Sequence, residues 1–421
     1  MKKMTLVCTA ALGCLAATAA LAQESASSSV TLYGIADAGL NHVTGLKQGS
    51  VTQLASGIME GSRWGLKGNE ELGGGYKAIF TLESRVELDT GSVSNRPASD
   101  SQVPDRLNTA ALLGLPAAFQ PAVTAVATSL GAQLGVNHID KNLFDRQAYV
   151  GLITPVGAIT AGRQYTPGYL ASATFDSMHA ESSLALGQLV SVPVSFTIRT
   201  SNALQYGIRA GGITATAMYA MGEVAGNNSA NRLLGTMVVY KGDIFSVGGG
   251  YNTQKNELGQ KSLTTGTLGA SVDMGPGTLS TLFATIKDNN PANLSSIATT
   301  LVTNGLSTGA AAVVQNAFTT ALKQNSTLAH IGYRMTMGAN TVTVAYNTMN
   351  DKTASNADRS SYGVAYSYAL SKRTDLNAVM TRFNNKNSSQ LAPGGNGFLG
   401  GVTASAGTDS TNVALGIRHR F

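Results

Sequence analysis

The chain has 421 residues, of which 43% are hydrophobic and 12% charged, with 48 glycines and 10 prolines. So few charges beside so much apolar content exclude a disordered polyelectrolyte. The balance of 29 basic to 23 acidic residues is small and unclustered, which argues against a nucleic-acid partner.

The N-terminus has the order of a secretory leader. Lys2 and Lys3 form a charged start, residues 4–17 an apolar run, and Ala20-Leu21-Ala22 an A-x-A cleavage site. Residues 1–22 are therefore expected to be removed, leaving 23–421 as one unit that begins at Gln23. Both cysteines, Cys8 and Cys14, fall in the leader. The mature chain would hold no disulfide, no Cys₄ zinc site and no thiol nucleophile. Without Lys2 and Lys3 the balance is 27 basic to 23 acidic, a net of +4. After the leader no apolar run approaches the length of a membrane-spanning helix, about 18 residues.

From Ser29 onward the repeating unit is an alternating stretch of about ten residues followed by a turn. Val30 and Leu32 alternate with Thr31 and Tyr33, Trp64 and Leu66 with Arg63 and Lys67. Tyr76, Ala78, Phe80 and Leu82 alternate with Lys77, Thr81, Glu83 and Arg85. Tyr362, Val364, Tyr366, Tyr368 and Leu370 alternate with small or polar residues from Ser361 to Ala369. In the last stretch, Val413, Leu415, Ile417 and Phe421 share one face, which only His419 breaks. Arg418 and Arg420 take the other. Sixteen such strands are expected, near 29–41, 61–71, 75–88, 144–154, 158–166, 196–210, 212–223, 231–241, 243–254, 262–274, 277–288, 326–337, 340–350, 359–370, 374–385 and 411–421.

Short Gly-rich or polar turns, such as 72–75, 155–157, 275–277 and 338–340, take turns with long connections over 89–143, 166–195, 288–325 and 385–410. Short turns at one end and long loops at the other predict an all-β fold: a transmembrane antiparallel barrel with a water-filled lumen. Ala110–Leu134 and Gly309–Lys323 are helix-prone within two of the long, extracellular loops. A soluble β-sandwich or β-helix is the competing architecture. It would bury one strand face in a core of large apolar residues, whereas here the second face is small and polar, as a wet lumen requires.

Several stretches resemble a known family. SVTLYGIADAG at 29–39 is similar to a first porin strand, and SRWGLKGNEELGGG at 62–75 to the hairpin that follows. DRQAYVGL at 145–152 and AGRQYTP at 161–167 resemble the hairpin before an inward-folded loop. With SKRTD at 371–375 and Phe421, the chain resembles the trimeric general-diffusion porins of Gram-negative outer membranes, of the neisserial and betaproteobacterial kind. The resemblance implies sixteen strands, a homotrimer among outer-membrane lipids and lipopolysaccharide, export through the periplasm, and passive diffusion of small hydrophilic solutes. It implies that Phe421 is the assembly signal read by the barrel-assembly machinery. It also implies that the last strand pairs with the first near Val30.

Candidate selectivity residues follow from parity and resemblance together. Arg63 lies opposite Trp64, Arg146 an odd step from Tyr149 read as outward, and Arg199 next to an outward Ile198. All three stand where such porins carry a lumenal arginine cluster. Arg85, Arg209 and Lys67 have the same parity; the bland reading of each is a solvated cation. A guanidinium stays charged, and narrow low-dielectric walls focus its field, so mild anion preference is expected. The loop from Thr166 to about Val194 is expected to fold inward, with Asp176 and Glu181 facing the arginines across the lumen. Such a transverse field would impede apolar solutes. The loop lacks the Pro-Glu-Phe-Gly-Gly of enteric porins. His179 reads as a solvated loop histidine. Arg163 points outward by parity, and resemblance places its strand in a subunit contact, where it would meet a charge on a neighbour. Gly34, Ala36 and Ala38 leave room for that neighbour; plain strand packing is the alternative.

An enzyme would need a histidine with carboxylate or serine partners. His42, His138, His179, His330 and His419 have no metal-ligand spacing, and no G-x-S-x-G opens a helix. All five read as surface or interface histidines; no catalysis, metal or cofactor is expected. The functional alternative is an adhesin or surface receptor acting through the long loops over a narrow lumen, which single-channel conductance separates from a porin.

Overall fold

The computed structural model describes residues 28–93, 98, 103–134, 142–191, 193, 195–394 and 400–421. The expected leader and its junction at Gln23, together with His138 and Val194, lie outside them.

Among the described residues, seventeen strands form one antiparallel sheet: β1 (Ser29–Leu46), β2 (Gly49–Ser56), β3 (Arg63–Gly73), β4 (Tyr76–Arg85), β5 (Gln147–Thr154), β6 (Gly157–Tyr165), β7 (Arg199–Ala210), β8 (Ile213–Ala220), β9 (Leu233–Lys241), β10 (Phe245–Lys255), β11 (Lys261–Met274), β12 (Gly277–Asp288), β13 (Gln324–Met337), β14 (Asn340–Asp351), β15 (Arg359–Ala369), β16 (Thr374–Asn385) and β17 (Ser410–Arg420). Each strand from β3 onward pairs with its successor, and β1 pairs with β17 over Ile35–Val43, which closes the sheet. Both β2 and β3 pair with β1, over Ala38–Leu46 and Ser29–Ile35. They are two halves of one wall position, so the barrel has sixteen positions. Residues 57–62 leave the wall between the halves.

Parity decides which face is which. Val413, Leu415 and Ile417 are 46–59% exposed on the outer face, while Arg418 is 4% exposed inside. Lining the barrel are polar residues such as Gln205, Thr267, Asn347 and Thr381, and the outside carries aliphatics and tyrosines such as Leu268, Ile331, Tyr366 and Tyr368. An outer apolar band of this kind is stable against lipid and costly in water, by about 25 cal/mol per Å². Connections alternate: short at 74–75, 155–156, 211–212 and 338–339, long at 86–146, 166–198, 289–323 and 386–409. Gly211 and Gly212 both have positive φ, as a two-residue hairpin turn of the type matching strand twist requires.

Three expectations need correction. Strand β2 was not among the sixteen, because Val51 packs inward on Val43 and Leu46 while Leu54 points to lipid, which erases the alternation. Tyr149 points inward, its hydroxyl accepting a bond from Thr81 at 3.0 Å, and Val150 takes the outer face. The closing register begins at Gly34, whose N–H donates to the Phe421 carbonyl at 3.0 Å, not at Val30.

The long loops carry helices α1 (Asp105–Asn108), α2 (Gln120–Leu134), α3 (Pro167–Phe175), α4 (Ile297–Thr303) and α5 (Thr308–Ala321). Helices α2 and α5 fall in the two Ala-rich stretches. Leu107, Val123 and Leu130 pack with Ile297, Val314 and Phe318 in one apolar cluster, so two loops form a single helical cap. Arg106 donates to the Ala321 carbonyl at 3.1 Å, where α5 ends.

Helix α3 lies inside the barrel against β9, β10 and β11. The wall makes room with glycines. A Cβ at Gly250 would meet that of Ala171 at 2.6 Å, one at Gly235 would meet Pro167 at 2.8 Å, and one at Gly269 would collide with the Phe175 ring. Asn252 ties the helix start to β10, accepting from the Gly168 N–H at 3.0 Å and donating to the Thr166 hydroxyl at 2.9 Å.

Candidate pore constriction

The inward loop runs on from α3 along the wall. Asp176 is 2% exposed and accepts from the backbone N–H groups of Met178 and Leu186, at 2.9 and 3.1 Å. His330 on β13 accepts the Ser177 N–H at its Nε2, 3.0 Å away, with its Nδ1 2.6 Å from the Asn347 amide oxygen. Asn347 donates to the Leu184 carbonyl at 2.9 Å, and Ser183 meets Thr381 at 2.8 Å. These anchors hold His179, Ala180 and Ser182 in the left-handed region, a conformation that costs about 1–2 kcal/mol for each L-residue. His330 is therefore a buried anchor, not a surface histidine, and Asp176 is bound to its own loop. His179 lines the lumenal cavity. Burial first, then the nearby Arg334, pushes its imidazole below the ordinary histidine range, so it is neutral at pH 7. His42 and His419 sit outside, bonded to Thr52 and Thr374.

Between loop and wall lies a cavity lined by Arg63, Arg85, Arg146 and Arg199, with Glu60, Asp176 and Glu181 among the remaining residues. Arg63 pairs with Glu60. Arg146 sits just before β5 and reaches the lumen from there rather than by strand parity. Its Nε lies 2.8 Å from Glu83 Oε1 and its Nη2 donates to the Tyr165 hydroxyl at 3.0 Å. Arg199 donates to the same hydroxyl at 2.7 Å, with its guanidinium 4.4 Å from the Tyr165 ring centroid. Tyr165 stacks on Tyr169 at 5.3 Å and 14°. Arg85 has Glu87 at 3.6 Å and Asp145 at 3.7 Å. Ile198, read as outward, lines this cavity too.

Sequence reasoning missed the acids of the wall. Glu83 also accepts from Tyr33 at 3.0 Å and shared Arg85's parity, which was the available signal. Glu60 lies on the 57–62 excursion. Asp37 draws that segment inward by accepting the N–H groups of Ile58, Met59 and Glu60 at 3.0, 3.0 and 2.8 Å. Nothing periodic marks it. Glu181 lines the same cavity, but its ion pair is with Arg418, at 3.2 Å. Arg418 also meets Glu60 at 2.9 Å and Asp375 at 3.1 Å, and Arg420 meets the same two at 2.8 and 2.9 Å.

The other candidates lie apart. Arg209 donates to Thr214 beside the short 211–212 turn, and Lys67 sits 5.2 Å above the Tyr33 ring; neither lines the cavity. Arg163 lies at a bulge and donates to the Asp145 carbonyl at 2.5 Å and the Ser201 hydroxyl at 3.0 Å. Gly34 is covered by the Phe421 ring of its own chain, while Ala36 and Ala38 are half-buried.

A closed, lipid-facing barrel with a charged inward loop is the architecture of a diffusion channel, and a profile describing Gram-negative porins matches residues 8–388. The chain belongs to the Gram-negative porin family. This porin is 27% identical to outer membrane porin protein 32 of Delftia acidovorans over 97% of the chain and 98% of the relative. An anion-selective porin from Comamonas acidovorans superposes with a TM-score of 0.67 at 25% identity, covering 94% of this chain and all of that one. Salmonella typhi OmpF, solved with daunomycin, shares the fold, with a TM-score of 0.55 at 16% identity over 93% and 97% of the two chains. The protein is thus an outer-membrane porin, a channel for passive diffusion of small hydrophilic solutes.

Proposed function

We propose that this porin prefers anions, that the cavity between loop and wall is its constriction, and that it works as a homotrimer. The carrying observation is what faces the solute. Arg63 and Arg199 are partly exposed in the cavity, while Glu60, Glu83, Asp176 and Glu181 are 2–4% exposed behind them. Arg199 bonds to the Tyr165 hydroxyl and has no carboxylate within 4.0 Å among the described residues. An entering ion therefore meets guanidinium before carboxylate. The anion selectivity in the name of the Comamonas relative supports the same reading. The small outward Ala36 and Ala38 support a subunit contact, with Arg163 at its edge. No residue is assigned a catalytic role.

The test is single-channel recording in a planar bilayer. Openings in steps of three and a reversal potential on the anion side of zero in a KCl gradient are expected. Cation preference would overturn the selectivity, and single steps throughout would overturn the trimer.

A further inference from the structure

The inference concerns which anions pass, and it rests on the anion preference proposed above. The sequence led us to expect carboxylates on the inward loop opposite the arginines, a field that turns apolar solutes away. In the structure those acids line the cavity but are only 2–3% exposed. Asp176 is satisfied by loop amides, and Glu181 is drawn to Arg418. Beside the cations the cavity also presents ring and hydrocarbon. Tyr165 and Tyr169 are stacked and half-buried, and Ala180 and Ile198 are half-buried in the same cavity. Arg199 already lies over one of these rings, so the site brings guanidinium and aromatic surface together.

We propose that the constriction is an amphipathic subsite for carboxylates carried on a flat apolar body, benzoate being the simplest. The carboxylate would take up donors of Arg63 and Arg199, and the ring would leave water against Tyr169 and Ile198. Chloride and acetate gain the charge term alone. A ring gains apolar burial as well, and aromatic surface adds an edge-to-face or offset-stacked contact. A guanidinium suits a planar carboxylate because its paired N–H groups match the two oxygens.

The reconstituted channel is tested with potassium salts of chloride, acetate, benzoate and cyclohexanecarboxylate. Benzoate is expected to permeate at least as well as the smaller acetate, and to reduce chloride current saturably when added to one side. An acetate-over-benzoate ranking with no reduction of chloride current would overturn the subsite. The acetate–benzoate ratio compares two ions of equal charge, while the anion preference itself is read in KCl alone, so either can fail without the other. Tyr169→Leu keeps bulk but removes the ring. It is expected to weaken the benzoate effect about fivefold and that of cyclohexanecarboxylate by less than about twofold. Equal weakening of both would overturn the aromatic assignment.

Discussion

Two groups of arginines line this barrel, and they differ in what surrounds them rather than in residue type or parity. Arg418 and Arg420 on the closing strand are held by Glu60, Asp375 and Glu181, three carboxylates for two guanidiniums. Those acids come from the 57–62 excursion, from β16 and from the inward loop. The pairs therefore tie closing strand, broken wall and constriction together. Arg63, Arg85, Arg146 and Arg199 line the cavity with looser compensation. Glu60 is shared with the first group, and among the described residues Arg199 has a phenol and no carboxylate partner. Counting lumenal arginines thus says little about the field. Where the carboxylates are spent decides which guanidiniums brace the wall and which address the solute.

The largest effect should come from the bracing group. Arg418→Ala leaves the buried Glu181 without its arginine and Glu60 and Asp375 with fewer, a loss of about 3–5 kcal/mol. Thermal unfolding in detergent should show a large drop in Tm, with the loop released. A variant as stable as the parent would break the distinction. Next comes Arg199→Gln, which removes the cation without a carboxylate partner and orphans no acid. One charge about 6 Å from the path is worth on the order of 0.7 kcal/mol at the dielectric of water. The chloride-to-potassium permeability ratio takes that term once for each ion, with opposite signs, and should therefore fall by up to about tenfold with little change in Tm. A ratio unmoved would place the field elsewhere. Glu83→Gln should act in the opposite sense, raising the ratio, and should also lower Tm because Arg146 loses its partner.

The smallest effect is pH dependence. Glu87 lies beyond β4, and burial raises its pKa to about 7 against the opposing pull of Arg85. Below that pH it is neutral and Arg85 is less compensated; above it a negative charge appears beside the cavity. Anion preference should therefore decline as pH rises through about 7, and Glu87→Gln should flatten the curve. The same shift makes the folded state hold a proton that the unfolded chain releases near 4.5, so stability falls as pH rises between about 4.5 and 7. His179, held below the ordinary histidine range, adds positive charge only in more acidic solution.

The sequence made the wall legible because lipid and water impose a period of two on every strand. It was illegible where that constraint lapses. Strand β2 packs Val51 inward under the loops. Arg146 acts from outside its strand, and Tyr149 reverses the expected parity because its cross-strand partner is the inward Thr81. Parity did place Arg63, Arg85 and Arg199 on the inner face. The loop acids were misjudged for another reason. Asp176 and Glu181 are directed by backbone amides and by an arginine more than 200 residues away, and neither leaves a local pattern.

The glycines behind α3 carry a last consequence. Gly235, Gly250 and Gly269 dock the helix by offering no side chain, so the bore of the channel is written into the wall as missing volume. Gating by design could then be done from behind. A residue of graded size at Gly250 would push the helix toward the axis without touching a single charged group, and pore width and pore charge would become separate dials.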